Sequence, residues 1–179
     1  MIDIGCGEGW LVRQARKEPG CDAIGIDASD ALIASATAID PGGRYLSLAY
    51  DQLDTLPADN AGPFDVAICN FSLLDDALST TLRAIREVLA DNGRLLIQTL
   101  HPWASSAGQP YRDGWREENF AGFTSERWHP MPWYFRTLGS WLREIERAGM
   151  TVVAIDEPLN EKTQQPLSLL LTCERPAGT

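Results

Sequence analysis

Basic residues, histidines, paired cysteines and long apolar runs are all scarce in this chain of 179 residues, and each scarcity removes a class of function. Fifteen Lys and Arg stand against 25 Asp and Glu, a formal net charge of -10. Nucleic-acid affinity rests on basic groups that displace counterions from phosphates, so neither DNA nor RNA is an expected partner. No apolar run approaches the roughly 18 to 20 residues that span a bilayer, and residues 1–5 carry an acid rather than the basic cluster that opens a secretory signal. The chain reads as soluble and cytoplasmic. Cys6, Cys21, Cys69 and Cys173 lie far apart, without a CxxC pair or a Cys/His grouping at zinc spacing. Free thiols in a reducing compartment are expected, and no metal.

What is present is a core. With 44% hydrophobic residues, the chain is long enough to bury one domain without staples. Short apolar segments alternate with helical patterns, the signature of an α/β fold with a largely parallel sheet. Strands are expected at 1–4, 23–27, 44–49, 64–70, 94–100, 151–155 and 168–173. Helices are expected over 10–17, from Ser29 or Asp30 to Ile39, along the stripe Leu78, Leu82, Ile85, Val88, Leu89, and along Phe135 to Ala148. Asp75 or Asp76 is placed to cap the third helix and Asn92-Gly93 to end it. Gly149 is placed to end the fourth.

The run Asp3-Ile4-Gly5-Cys6-Gly7-Glu8-Gly9 is a strand followed by a glycine turn into a helix, where backbone can approach a ligand closely. Its spacing is G-x-G-x-G, and Trp10 occupies the position where a dinucleotide-binding loop needs its third glycine. Asp3 and Glu8 flank the loop and would oppose a phosphate, so the turn suits a ligand with a positive centre. Asp27 ends the second strand, where an acid can accept from both ribose hydroxyls. Asp51 follows the third strand beside Leu53, a pairing able to bond an adenine amino group and cover its face. Asn70, Phe71 and Ser72 leave the fourth strand at its carboxyl end, where parallel sheets collect ligands. Cys6 reads as a small loop filler, with no basic neighbour in sequence to activate it.

Together DIGCGEG, GIDAS, the acid of AYDQL, FDVAICNFSLL and DNGRLLIQT resemble the class I S-adenosylmethionine-dependent methyltransferases, in particular the small-molecule enzymes of the ubiquinone-biosynthesis type. The stretch from WYFRTLGSWLREIERAGM to IDEP is similar to the family's last helix and strand. The resemblance implies a Rossmann-like doubly wound sheet, mostly parallel with an antiparallel last strand, and S-adenosyl-L-methionine as cofactor, released as S-adenosyl-L-homocysteine. It implies that Gly5, Cys6 and Gly7 line the methionine part, that Gly9 and Trp10 also contact the cofactor, and that Asp3 holds the amino group through water. Asp27 would take the ribose, Ala28 and Ser29 would border the adenine, Asp51 and Gln52 would meet its edge, and Asn70 and Phe71 would close the methionine side. Two departures stand out. Where many relatives have a histidine after the fourth strand, this chain has Leu73-Leu74-Asp75-Asp76, and it begins inside the first strand, without the helical segment that precedes that strand in the family.

Residues 101–136 hold nine of the 15 aromatics: Trp103, Tyr111, Trp115, Phe120, Phe123, Trp128, Trp133, Tyr134 and Phe135. This stretch is expected to be a long irregular loop over the carboxyl edge of the sheet, a substrate lid with Trp103 and Trp133 against the acceptor. The competing reading is a local mini-core. His101, at the end of the fifth strand, is the first candidate for a base, with Tyr134 and His129 behind it and Arg136 placed to pair with a substrate carboxylate. A sulfonium methyl donor can also do without a base. The expected organisation is one domain, with a cofactor half at 1–100, the aromatic insert at 101–136 and a closing helix and strands at 137–179. The expected function is methyl transfer to a small organic acceptor. Two alternatives stand beside it: a non-catalytic module that keeps the cofactor fold, and an NAD-dependent oxidoreductase.

Overall fold

The computed structural model of the chain describes residues 1–106, 108–118 and 131–176. Strand β1 (Ile2–Ile4) runs through the interior of a seven-stranded sheet and is buried along its whole length. Strands β2 (Ile24–Asp27), β3 (Arg44–Ser47), β4 (Phe64–Asn70) and β5 (Leu89–Leu100) lie parallel to it in the order β3-β2-β1-β4-β5. Parallel neighbours need crossovers, and helices α1 (Trp10–Ala15), α2 (Asp30–Ile39) and α3 (Leu78–Val88) fall within those connections. After β5 come a hairpin outside the main sheet, β6 (Gly114–Glu118) with β7 (Met131–Phe135), then helix α4 (Leu138–Arg147) and strands β8 (Thr151–Asp156) and β9 (Ser168–Glu174). Strand β9 inserts antiparallel between β5 and β8, giving the mixed sheet edge that was expected.

The main core lies where α3 and α4 meet the sheet. The stripe Leu78, Leu82, Ile85 and Val88 of α3 is buried, as are Trp141 and Ile145 of α4. Truncating Leu82 or Ile85, both without exposed surface, would cost about 2–5 kcal/mol each. A smaller cluster of Cys6, Val12 and Ala23, with Ile33 and Tyr45 against it, packs around α1 and α2. The strand order reverses between β1 and β4, so the loops after β1, β2, β3 and β4 border a crevice at their carboxyl ends.

Three local expectations are corrected. Helix α3 starts after Ala77 with no side-chain cap, so neither Asp75 nor Asp76 caps it. It ends at Val88, because Leu89 is already drawn into pairing with Phe64. Gly93 is therefore not a left-handed stop; a Cβ there would lie 2.7 Å from the carbonyl oxygen of Phe64, and close backbone approach is what requires glycine. The stretch 101–136 is not irregular throughout, since it contains a short 3₁₀ turn at Ala104–Ser106 and the β6–β7 hairpin.

Candidate functional site

Gly5, Gly7 and Gly9 all have positive φ, at 78°, 53° and 76°, which side chains with a Cβ rarely adopt. The turn is pinned to the neighbouring strand, for the amides of Gly5 and Cys6 both donate to the carbonyl oxygen of Ile26, at 2.8 and 2.9 Å. A Cβ on Gly5 would collide with Ser72 and the Tyr50 hydroxyl, whereas one on Gly7 would meet nothing. Gly7 is thus the open point of the loop. Cys6 is buried against Gly25, where a Cβ would sit 2.7 Å from its sulfur, and burial pushes the thiol up to about 12. It fills space and stays protonated. Trp10, at the first position of α1, leaves about half of its surface in solvent.

Asp27 braces two loops at once. One carboxylate oxygen accepts from the Gly7 amide at 3.0 Å and the other from the Ser29 amide at 2.9 Å. Each oxygen keeps a second acceptor site. The Ser29 hydroxyl caps α2, accepting from the Leu32 amide at 3.4 Å, while Ala28 is exposed beside it. Asp3, one strand over, is 2% exposed, and its Oδ1 has no hydrogen-bond partner. Burial, and then the charge of Asp27, push its carboxyl up to about 7.

A cleft of about 450 Å³ opens beside these loops. Ala28, Tyr50 and Asp51 line it together with Ser72 to Asp75 and the first turn of α3. Asp51 and Gln52 are exposed in a 3₁₀ turn at Tyr50–Thr55. Leu53, expected to cover an adenine face, is instead buried in the core, because the 3₁₀ turn rotates it inward. Tyr50 takes the place on the cleft wall, and burial pushes its phenol up, so it stays protonated. Tyr50 was not among the expected site residues, although it sits in a strand-end segment the sequence marks, whereas Ser72 was expected at the crevice with Asn70 and Phe71. The Ser72 hydroxyl donates to the Ile4 carbonyl oxygen at 2.5 Å and ties the fourth strand's loop to the first. Asn70 ends β4 half-buried, and Phe71 is exposed with a left-handed φ of 54°, its amide donating to Gln98 at 2.8 Å.

The aromatic insert divides. Trp133 and Phe135 are buried and meet edge to face at 5.8 Å, which is the mini-core reading. Trp103 is 68% exposed, and with Tyr111, Gln109 and Gln165 it lines a second cavity of about 620 Å³. Tyr134 is half-buried; its amide donates to the Leu74 carbonyl at 2.8 Å, which docks the hairpin on the cleft rim. Phe120, Phe123, Trp128 and His129 lie outside the described residues.

His101 is not brought to the cleft lining. Its ring is buried, with Nε2 at 2.7 Å from Glu157 and Nδ1 accepting from the Ala104 amide at 3.4 Å, so both nitrogens hold the chain together where a base would need one free. Arg136 is 2% exposed, stacked near the rings of Tyr134 and Trp141, and donates to the Asp75 carbonyl. Among the described residues, no group of three or more His, Cys, Asp or Glu could hold a metal, and no helix is long and apolar enough to cross a membrane.

The model of a methyltransferase domain family matches residues 1–155. No curated protein matches the chain. Among solved structures, an S-adenosylmethionine dependent methyltransferase from Mesorhizobium loti superposes with a TM-score of 0.71 at 24% identity, covering 97% of this chain and 90% of that one. The glycopeptide N-methyltransferase MtfA, solved with S-adenosyl-L-methionine, gives 0.74 at 14% identity, covering 98% and 80%. An S-adenosylmethionine-dependent methyltransferase from Clostridium acetobutylicum gives 0.68 at 12%, covering 97% and 82%.

Proposed function

The chain belongs to the methyltransferase-domain family, and from that premise we propose that it moves a methyl group from S-adenosyl-L-methionine to a small organic acceptor by in-line displacement, leaving S-adenosyl-L-homocysteine. The observation that carries this reading is the pair of acids at the glycine loop. Asp27 is fixed by two loop amides with acceptor sites to spare, which suits a ribose diol. Asp3 is buried with an unpartnered oxygen, which suits a cationic amino group or the water that carries one. A pyrophosphate would meet repulsion at both, and Trp10 stands where a dinucleotide loop needs glycine.

When bound, the cofactor supplies a methyl carbon already attached to a good leaving group, the sulfonium sulfur. The protein's part is positioning. Gly7 leaves the loop open to the ligand, Ser72 ties the ends of the first and fourth strands together, and Ala28, Tyr50 and Asp51 of the cleft wall, with Gln52 in the adjoining turn, would border the nucleoside. The ionisable groups of the cleft wall among the described residues are Tyr50, Asp51 and Asp75, and Tyr50 is held protonated. Alignment of acceptor and methyl carbon in a partly dried cleft then supplies most of the rate, without a protein base. The docked hairpin, tied to the cleft rim at Leu74, would border the acceptor.

Thermal-shift titration tests the assignment. Stabilisation by S-adenosyl-L-homocysteine and none by NAD is expected; the reverse pattern would overturn it. Formation of S-adenosyl-L-homocysteine from S-adenosyl-L-methionine over a panel of small acceptors separates the enzyme from a binding module.

A further inference from the structure

Trp103 and Tyr111 lie side by side outside the cleft, and both are exposed. A single exposed ring is ordinary, but two large rings left together in water mark a surface that meets something. With Gln109, Gln165 and Pro166 they line the cavity of about 620 Å³, which shares no lining residue with the cleft. Strand β7 links the two places. The Tyr134 amide is bonded to Leu74 on the cleft wall, and the next residue, Phe135, meets Tyr111 edge to face at 5.9 Å.

The fold builds this cavity from segments far apart in sequence. Strands β5 and β9 are antiparallel, with Leu100 opposite Ser168, so the chain leaving β5 and the chain entering β9 emerge side by side. Trp103 comes from the first and Gln165 from the second. Hydrogen bonds hold both segments. The amide and hydroxyl of Ser106 donate to the Trp103 carbonyl oxygen at 3.2 and 2.8 Å, and the Asn160 amide donates to the Gln165 carbonyl oxygen at 2.9 Å. The Tyr111 hydroxyl accepts from the Leu138 amide at 2.9 Å, at the start of α4. The wall is thus largely preformed, and ordering it adds little to the cost of binding.

Its chemistry selects the occupant. Among the described residues the Tyr111 phenol is the only ionisable group that lines the cavity, so an ion would lose water there without gaining an opposite charge. The polar groups on offer are the side-chain amides of Gln109 and Gln165, which can each donate and accept, and neither bonds to another described residue. The two rings are tilted by 58° with centroids 5.9 Å apart. A flat ring laid on one meets the other at that tilt, and offset stacking and tilted contact are the arrangements aromatic pairs prefer. We propose that this cavity is a second binding site, separate from the cleft, for a neutral aromatic ring that carries amide or hydroxyl groups at its edge.

The test follows the Trp103 indole N–H by NMR, identified by its loss in Trp103→Ala, while benzamide is titrated in with and without S-adenosyl-L-homocysteine. Benzamide should shift that resonance saturably, with the same affinity in both conditions. It should bind at least about fivefold more tightly than cyclohexanecarboxamide, which has no flat face, or benzoate, which is charged. Trp103→Ala changes an exposed side chain and should weaken benzamide by about tenfold, read on the Gly108 and Gln109 amides. Gln109→Leu and Gln165→Leu should each weaken it about threefold, as expected for one lost hydrogen bond. No saturable shift, equal binding of benzamide and cyclohexanecarboxamide, or undiminished affinity in Trp103→Ala would each overturn the proposal. So would tighter binding of methyl β-D-glucoside than of benzamide, which would give the cavity to a sugar. A benzamide affinity that S-adenosyl-L-homocysteine changes by fivefold or more, as about one shared site would require, would overturn the separation from the cleft.

Discussion

Asp3→Asn should make the protein more stable and a poorer binder, with both effects depending on pH. The Asp3 carboxyl is buried beside Asp27 and titrates near 7 in the fold, against an ordinary value of 3.8. Between those two values the folded chain holds a proton that the unfolded chain has released, so this group's contribution to stability falls as pH rises and is lowest above 7. The full displacement corresponds to roughly 4 kcal/mol. If relaxation and entering water recover half of that, about 2 kcal/mol remain, or a rise of roughly 4–8 °C in Tm at pH 8.5 for a chain of this size. The advantage of Asp3→Asn over wild type should shrink as pH is lowered through this window and vanish only below 3.8, where Asp3 is neutral in the folded and the unfolded chain alike. Comparing the two proteins at each pH removes the contribution of the other 24 acids. Ligand binding runs the opposite way. Pairing with a cationic amino group needs the carboxylate, so wild-type affinity for S-adenosyl-L-homocysteine should rise with pH to about 7 and then level, with a proton released on binding below that point. Asp3→Asn should bind about tenfold more weakly, without that pH dependence. Urea melts and calorimetry from pH 4 to 8.5 measure both. Identical stability curves for the two proteins, or undiminished affinity in the variant, would refute the reasoning.

Other perturbations separate the parts of the site. Asp27→Ala should weaken S-adenosyl-L-homocysteine binding by more than about tenfold, read by calorimetry, and an unchanged affinity would remove Asp27 from the site. Gly5→Ala places a Cβ 2.2 Å from that of Ser72 at a φ of 78° and should lower stability by about 1–3 kcal/mol in urea; a variant as stable as wild type would show that the loop relaxes freely. His101→Gln removes the contact to Glu157 and should cost about 1–3 kcal/mol while leaving S-adenosyl-L-homocysteine affinity intact, so unchanged thermal stability would show that the ring does not hold the β5 end in place.

The strands of the parallel sheet were legible because their information is local. Phe64–Asn70 is an apolar run between Pro63 and a polar loop, and the structure gives a strand with those bounds. The position of Asp27 was legible for the same reason, since it ends the apolar run that forms β2. What failed depended on distant partners. Asn92-Gly93 has the composition of a helix stop, but pairing of Leu89 with Phe64 ends the helix earlier, and the glycine serves backbone contact across the sheet. Leu53 and Tyr50 exchanged places because three residues of 3₁₀ turn point differently from three residues of extended chain. His101 stands at a strand end as an exposed base would, yet Glu157, 56 residues on, and a local amide occupy both its nitrogens.

The acidic balance of the chain takes on a local sense at the glycine loop. Asp51 is exposed, and solvent screens its charge. Asp27 accepts hydrogen bonds from two loop amides, those of Gly7 and Ser29. Asp3 has no such support: it lies in the most buried strand, faces the charge of Asp27, and keeps an oxygen without a partner. An empty fold with that pair is less stable near neutral pH than one with a neutral residue at position 3, and a ligand that brings a positive group between the acids recovers the difference as binding energy. A neutral or anionic ligand recovers nothing there. The placement of Asp3 thus favours a cation over a phosphate more strongly than the glycine spacing does, because the spacing constrains only shape and the buried acid sets the sign of the charge.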